Sequence, residues 1–319
     1  QAESESDQYH SVRGASKSAE SPTDHEFSTL AIYPSTSTGR RTALANWLTD
    51  RRNPLTARVA VNHIWMRHFG TPLVPTVFDF GRKGSTPTHP ALLDWLAVDF
   101  MEHGWDMKRL HRLIVTSDAY RRGSSSAGAD PATLAADPEN RLYWRMNPTR
   151  MEAQVVRDSL LRLAGVLVES SGGPPIAVTM EDIPRRSLYF NHSHNDHSKF
   201  LTTFDDASVL DCYRRAESVV PAQALALWNS KLSMTMGTRI AARLNERLGI
   251  DATDSAFAAE AFRTILASPP NPAELSACEK TLAELKTLLQ KRGAAAPDLK
   301  AREILVQSLL NHNDFITIR

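Results

Sequence analysis

Between Leu188 and Asp206 the chain reads LYFNHSHNDHSKFLTTFDD, which puts three histidines and three aspartates into one short stretch. On an extended backbone His192 and His194 project to the same face, so both imidazoles could reach one ion. His197, Asp205 or Asp206 would then complete a zinc or copper shell. A His-x-His pair without a fixed third ligand is a weak signature, and a polar loop accounts for the same residues, so no metal is expected at His192, His194 and His197. Asp205 and Asp206 form the best acidic pair for acid–base chemistry, because neighbouring carboxylates can separate their pKa values. On a strand the two would point to opposite faces; in a turn they could act together.

A second candidate is the loop FDFGRKGSTPTHP, Phe78–Pro90. Its glycine spacing does not match a phosphate-cradling loop. Asp79 is suited to capping backbone amides, and His89 stands where a helix should begin; the functional alternative has these two lining a pocket and sharing a proton. Arginines are dense around the polar motifs: Arg121 and Arg122, Arg157 beside Asp158, Arg185 and Arg186, Arg214 and Arg215. They either clamp irregular backbone to helices or offer forks to a carboxylate or sulfate on an acidic glycan. Arg157 and Asp158, being adjacent on a helix, must find separate partners. The candidates for catalysis are thus Asp79, His89, Asp205 and Asp206, and those for binding are Arg121, Arg186, His192 and Arg215. There is no Gly-x-Ser-x-Gly elbow, no His-Glu-x-x-His and no haem-attachment motif, so no haem or other cofactor is expected in this domain.

Composition narrows the classes. Lys plus Arg is 37 against 36 for Asp plus Glu, a net charge of +1, which argues against nucleic acid as the main partner. No apolar run is long enough to span a bilayer. Cys212 and Cys278 are too far apart in sequence for a zinc or redox motif and read as separate thiols. Residues 1–35 are polar and acidic with almost no large apolar side chain, the composition of a tether to preceding sequence.

The positioning elements are legible from their punctuation. Asn53-Pro54 and Gly70 bracket one helix, Pro90 and Gly104 a second, Asn271-Pro272 and Gly293 a third, and Asp106 caps a fourth. A helix follows Thr149, a long one starts at Pro221 and runs toward Gly249, and two more fill the C-terminal stretch. The exception is GGPPIAVTMEDIPRRSLYF, whose Ser187–Phe190 run reads as a strand or extended segment. The expected fold is mainly α: one composite multi-helix domain over 36–319, with a helical half at 38–170, a short extended or β insert within an irregular segment 171–206, and a helical half at 207–319. The irregular segment should be held in place by arginines from the helices.

Several stretches together carry a family resemblance: TSTGRRTALANWLTDRRNPLTARVAVNHIWMRHFG, PTVFDFGRKGSTPTHPALLDWLAVDFMEHGWDMKRLHRLIVTSDAYRR, DPENRLYWRMNPTRMEAQVVRDSLL, RRSLYF and FDDASVLDCYRRAESVVPAQALALWNS, with a terminal LLNHNDF. In order, from Thr36 to Phe315, they resemble domain-of-unknown-function family 1553 (PSD1-like). That family occurs in large planctomycete-type proteins beside c-type cytochrome-like domains. The resemblance implies an extracytoplasmic protein whose partners are neighbouring domains of the same polypeptide, with polysaccharide breakdown as a suggested context. Two departures stand out: His63 replaces the arginine usual after Asn62, and His194 and His197 fall where the family has other residues. Two functions follow: a docking or organising module among cytochrome-like neighbours, or an enzyme or glycan-binding domain with a polar pocket of His, Asp and Arg.

Overall fold

The computed structural model describes residues 38–210, 215–249 and 251–318. The tether at 1–35, Cys212 and Arg214 lie outside the described residues. Among the described residues there are twelve α-helices, two short 3₁₀ turns and one two-stranded sheet, so the fold is mainly α. The chain divides into two compact units, one ending at Met146 and one beginning at Asn147.

The first unit contains α1 (Arg40–Thr49), α2 (Thr56–Phe69), α3 (Pro90–Glu102), α4 (Met107–Val115) and the short α5 (Pro131–Ala136). Val61, Trp65 and Phe69 fall at i, i+4 and i+8, so α2 presents one continuous apolar stripe. That stripe meets Leu93, Leu96 and Phe100 of α3 and Leu110 and Ile114 of α4. The Trp65 and Phe69 rings stack at 4.1 Å, and the Trp65 indole N–H donates to the Tyr143 hydroxyl at 2.9 Å. Helix ends follow the sequence rules closely. Gly70 takes a left-handed φ of 74° to stop α2, and the Asp106 carboxylate accepts the Arg109 amide at 3.1 Å to start α4. The start of α2 departs from expectation: Asn53 accepts the Leu55 amide at 3.0 Å in the turn before it, and the helix begins at Thr56 rather than at Pro54.

The second unit contains β1 (Thr149–Arg150), α6 (Ala153–Leu163), α7 (Lys199–Thr203), α8 (Pro221–Asn229), α9 (Lys231–Leu248), α10 (Asp254–Leu266), α11 (Pro272–Lys291), α12 (Pro297–Leu310) and β2 (Thr317–Ile318). β1 and β2 pair antiparallel, Thr149 opposite Ile318, which ties the first segment of the unit to its last. Helices α9, α10, α11 and α12 pack on one another around Ile240, Phe257, Leu282 and Val306. α6 packs on α7 and α9, so this helix is integral to the second unit.

Two local expectations change. The helix starting at Pro221 ends at Asn229, because Ser230 turns to an extended conformation and its hydroxyl accepts the Ser233 amide at 3.2 Å. The Leu227 carbonyl freed by this break accepts from the side chains of Ser233 and Gln307. Ser187–Tyr189 is a 3₁₀ turn rather than a strand, since the Ser187 amide and hydroxyl both donate to Asp158 Oδ1, at 2.8 and 2.6 Å. Extended backbone appears on either side of it instead, as isolated parallel bridges of Val168 with Arg185 and Ile176 with Phe190. Among the described residues no helix is long and apolar enough to cross a membrane.

Candidate functional site

The site begins with α6. Its buried face carries Ala153, Val156, Leu160 and Leu161, together with Arg157. Gln154, Asp158 and Arg162 follow one another at i, i+4 and i+8, and all three line an open cavity of about 690 Å³ in the second unit.

Arg157 is 0% exposed and holds the irregular segment in place. Its guanidinium donates to the carbonyls of Glu181 and Arg185, each at 2.9 Å, to that of Ile183, and to the Ser187 hydroxyl at 3.1 Å. The Phe190 ring lies 4.7 Å from its Cζ. Burial pulls the Arg157 pKa down, and the nearby charges of Asp158 and Glu181 oppose that pull. Adjacent on the helix, Arg157 and Asp158 thus grip the same segment through different groups, backbone carbonyls for one and the Ser187 amide and hydroxyl for the other. The clamp fixes Arg186, Ser187, Leu188, Phe190, Asn191 and His192 along the cavity wall.

The segment after it supplies the next wall. The Glu181 carboxylate accepts the Ser198 hydroxyl and the Phe200 amide, both at 2.9 Å, which seats α7 and the Asp196–Ser198 stretch before it. A further wall is a polar cluster. Gln154 Nε2 donates to Asp206 Oδ1 at 2.5 Å, and Arg215 Nη1 donates to Gln154 Oε1 at 2.7 Å. Arg215 also approaches Glu152 at 3.3 Å and Asp206 at 3.9 Å. Glu152 stands at the N-cap of α6 without capping it through its side chain, and its carboxylate, paired with Arg215, forms part of the cavity lining.

Of the residues singled out in the sequence, Arg186, His192, Asp206 and Arg215 meet at this cavity, with His197 beside them. Asp205 does not line it. It takes a left-handed φ of 60° and turns its carboxylate onto the Ser218 amide and hydroxyl, at 2.7 and 2.9 Å, so the adjacent aspartates have separate tasks. Asp79, His89 and Arg121 belong to the first unit. There Asp79 caps the Gly81 amide at 2.8 Å, His89 Nδ1 meets the Thr88 hydroxyl at 3.1 Å, and Arg121 pairs with Asp118 at 2.6 Å. His197 Nε2 meets the His194 carbonyl at 3.0 Å, and among the described residues no three His, Cys, Asp or Glu side chains gather as a ligand set. Cys278 is a half-buried free thiol, its pKa raised by burial and by Glu274 and Glu279.

Sequence reasoning missed Glu152, Gln154 and Arg162 as site residues. The signal was present: a polar stripe at helical spacing on the face of α6 opposite its apolar one. A second concavity of about 510 Å³, in the first unit, is walled by Arg122 and Arg145, whose guanidiniums reach backbone carbonyls of Tyr143, Ser124 and Met146.

No curated protein and no solved structure matches this chain. The family model PSD1, described as a protein of unknown function (DUF1553), matches residues 40–282. That match takes in α1 to α10, much of α11 and every residue that lines the second-unit cavity. The chain belongs to the DUF1553 family.

Proposed function

We propose that the second unit is a binding module for a hydroxyl-rich ligand, a glycan fragment. The observation that carries the proposal is the convergence of α6, the clamped segment, the Asp196–Ser198 stretch and the residues Asp206, Ala207 and Arg215 on one open cavity. Its volume lies within the usual range for small-ligand sites. Its walls alternate carboxylates, amides, imidazoles and guanidiniums with the apolar surfaces of Val155, Leu188 and Leu201. A sugar ring presents hydroxyls that donate and accept along its rim and C–H groups on its faces, and this lining supplies partners for both. Asp206 accepts from Gln154 and from the Ala207 amide at 2.7 Å, so it is held as an acceptor for hydroxyls. Titration calorimetry of the full chain against a panel of soluble oligosaccharides tests this reading. Binding that Asp206→Asn and Arg215→Gln both weaken supports it; the absence of binding by every glycan defeats it.

The docking reading has support of a different kind. Leu210 and Val219 are 83% and 81% exposed, and Val220 and Leu225 are exposed beside them in sequence. Apolar side chains of that size suit contact with a neighbouring domain, which the family resemblance suggests is c-type cytochrome-like and extracytoplasmic. Co-purification with such a neighbour, lost on Val219→Asp, is the expected result.

A further inference from the structure

We infer that the cavity selects a negatively charged sugar, one whose single oxyanion, a carboxylate or a sulfate ester, is gripped by Arg186. This rests on the binding reading above and names the class of ligand. The argument is a reckoning of which guanidiniums are already engaged. Arg157 spends its donors on the carbonyls and hydroxyl of the irregular segment. Arg215 is held by Gln154 and Glu152. Arg162 is paired with Glu169. Arg186 differs from all three. The difference lies in its pairing: it lines the cavity as Arg162 and Arg215 do, but the carboxylate it faces is Asp158 Oδ2 at 3.8 Å, beyond hydrogen-bonding range.

Asp158 pairs with it only at that distance. The charge of Asp158 already faces the buried Arg157, and its Oδ1 accepts the Ser187 amide and hydroxyl. A planar guanidinium with donors to spare matches two oxygens of a carboxylate or sulfate in a bidentate bond. Asp206, which also lines the cavity and whose hydrogen bonds from Gln154 and Ala207 both fall on Oδ1, offers acceptors to hydroxyls and repels a second anion. The lining is therefore suited to one oxyanion per bound unit, set at the Arg186 side.

The test uses matched disaccharides on cellobiose and lactose scaffolds, each as the neutral sugar, the 6′-uronate, the 6′-sulfate and the 6′-amine, titrated into the full chain. The uronate, the sulfate or both should bind about tenfold more tightly than the neutral sugar, with a preference that shrinks as salt is raised. Comparison of the uronate with the sulfate identifies the oxyanion. Arg186→Gln should bring charged and neutral members to within about twofold, Arg186→Lys should retain part of the preference, and Asp206→Asn should weaken all members alike. Equal binding of neutral and anionic members, tightest binding of the amine, or an undiminished preference in Arg186→Gln would overturn this inference and leave the binding reading standing. No binding by any member would overturn both.

Discussion

Two irregular segments share a composition, glycines and prolines around charged residues, yet they use their polar side chains differently. In the first unit, Leu73–Pro90 is largely held by its own residues. Thr76 Oγ1 donates to the Asp79 carbonyl at 2.8 Å and accepts the Ser85 amide at 2.9 Å, and Asp79 caps Gly81. An outside anchor is Asn62, fully buried, whose amide bonds both the N–H and the carbonyl of Val74. In the second unit, the stretch from Gly172 to Ser198 has internal bonds too, such as Arg185 to the Pro174 carbonyl at 2.7 Å, but it is also gripped from outside by Arg157, and Arg186, Asn191 and His192 face a cavity. Where an anchor from a helix satisfies the backbone, the loop's own side chains become available for a ligand.

The largest effect that would break this contrast is Arg157→Met. It strands the carbonyls of Glu181, Ile183 and Arg185 and leaves Asp158 without its buried partner, so a loss of about 3–5 kcal/mol is expected in denaturant unfolding. Limited proteolysis should then cut within 172–198; an intact segment at unchanged stability would show that the clamp is not what holds it. Asn62→Ala should cost about 2–4 kcal/mol by orphaning both polar groups of Val74, with no change in ligand binding by the second unit. Gly84→Ala sharpens the self-held side of the comparison. An added Cβ would lie 2.1 Å from the Asp79 carbonyl oxygen, and the loop must shift at about 1–3 kcal/mol, read as a lowered melting temperature.

A smaller effect concerns pH. In the first unit, His68 Nε2 meets His111 Nδ1 at 2.7 Å, and burial, then the charge of His111, lowers the His68 pKa from 6.5. A base with a depressed folded-state pKa is protonated first in the unfolded chain. Stability is thus fully present above pH 6.5 and falls as the pH drops below it. The slope should shrink in His68→Gln, a difference of less than about 1 kcal/mol at pH 5. Smallest of all, Arg186→Ala should change stability by no more than about 0.5 kcal/mol, because the side chain is half exposed and weakly paired. A large loss there would move Arg186 from the ligand side of the comparison to the structural side.

Much of this was written in local sequence. Proline at N1, asparagine and aspartate caps and terminal glycines fix helix ends through interactions spanning only a few residues, so α3, α4 and α11 stand where their punctuation puts them. The long helix from Pro221 failed as a reading because Ser230 is a tolerable interior residue by propensity. Its break is supported by Gln307, far along the chain, which bonds the Leu227 carbonyl that the break frees. The strand reading of Ser187–Phe190 failed similarly, since the turn is imposed by Asp158 on a distant helix.

The sequence alone determined a mainly helical, family-specific chain with an irregular middle rich in arginine, aspartate and histidine, because periodicity and capping are properties of neighbouring residues. Only tertiary structure decided which polar groups meet. Asp205 and Asp206 are adjacent in sequence yet diverge onto Ser218 and Gln154, while Gln154, Arg186 and Arg215 are far apart and line one cavity. Backbone dihedrals at one residue and the reach of a helix-borne guanidinium make that choice, and neither is encoded in spacing along the chain.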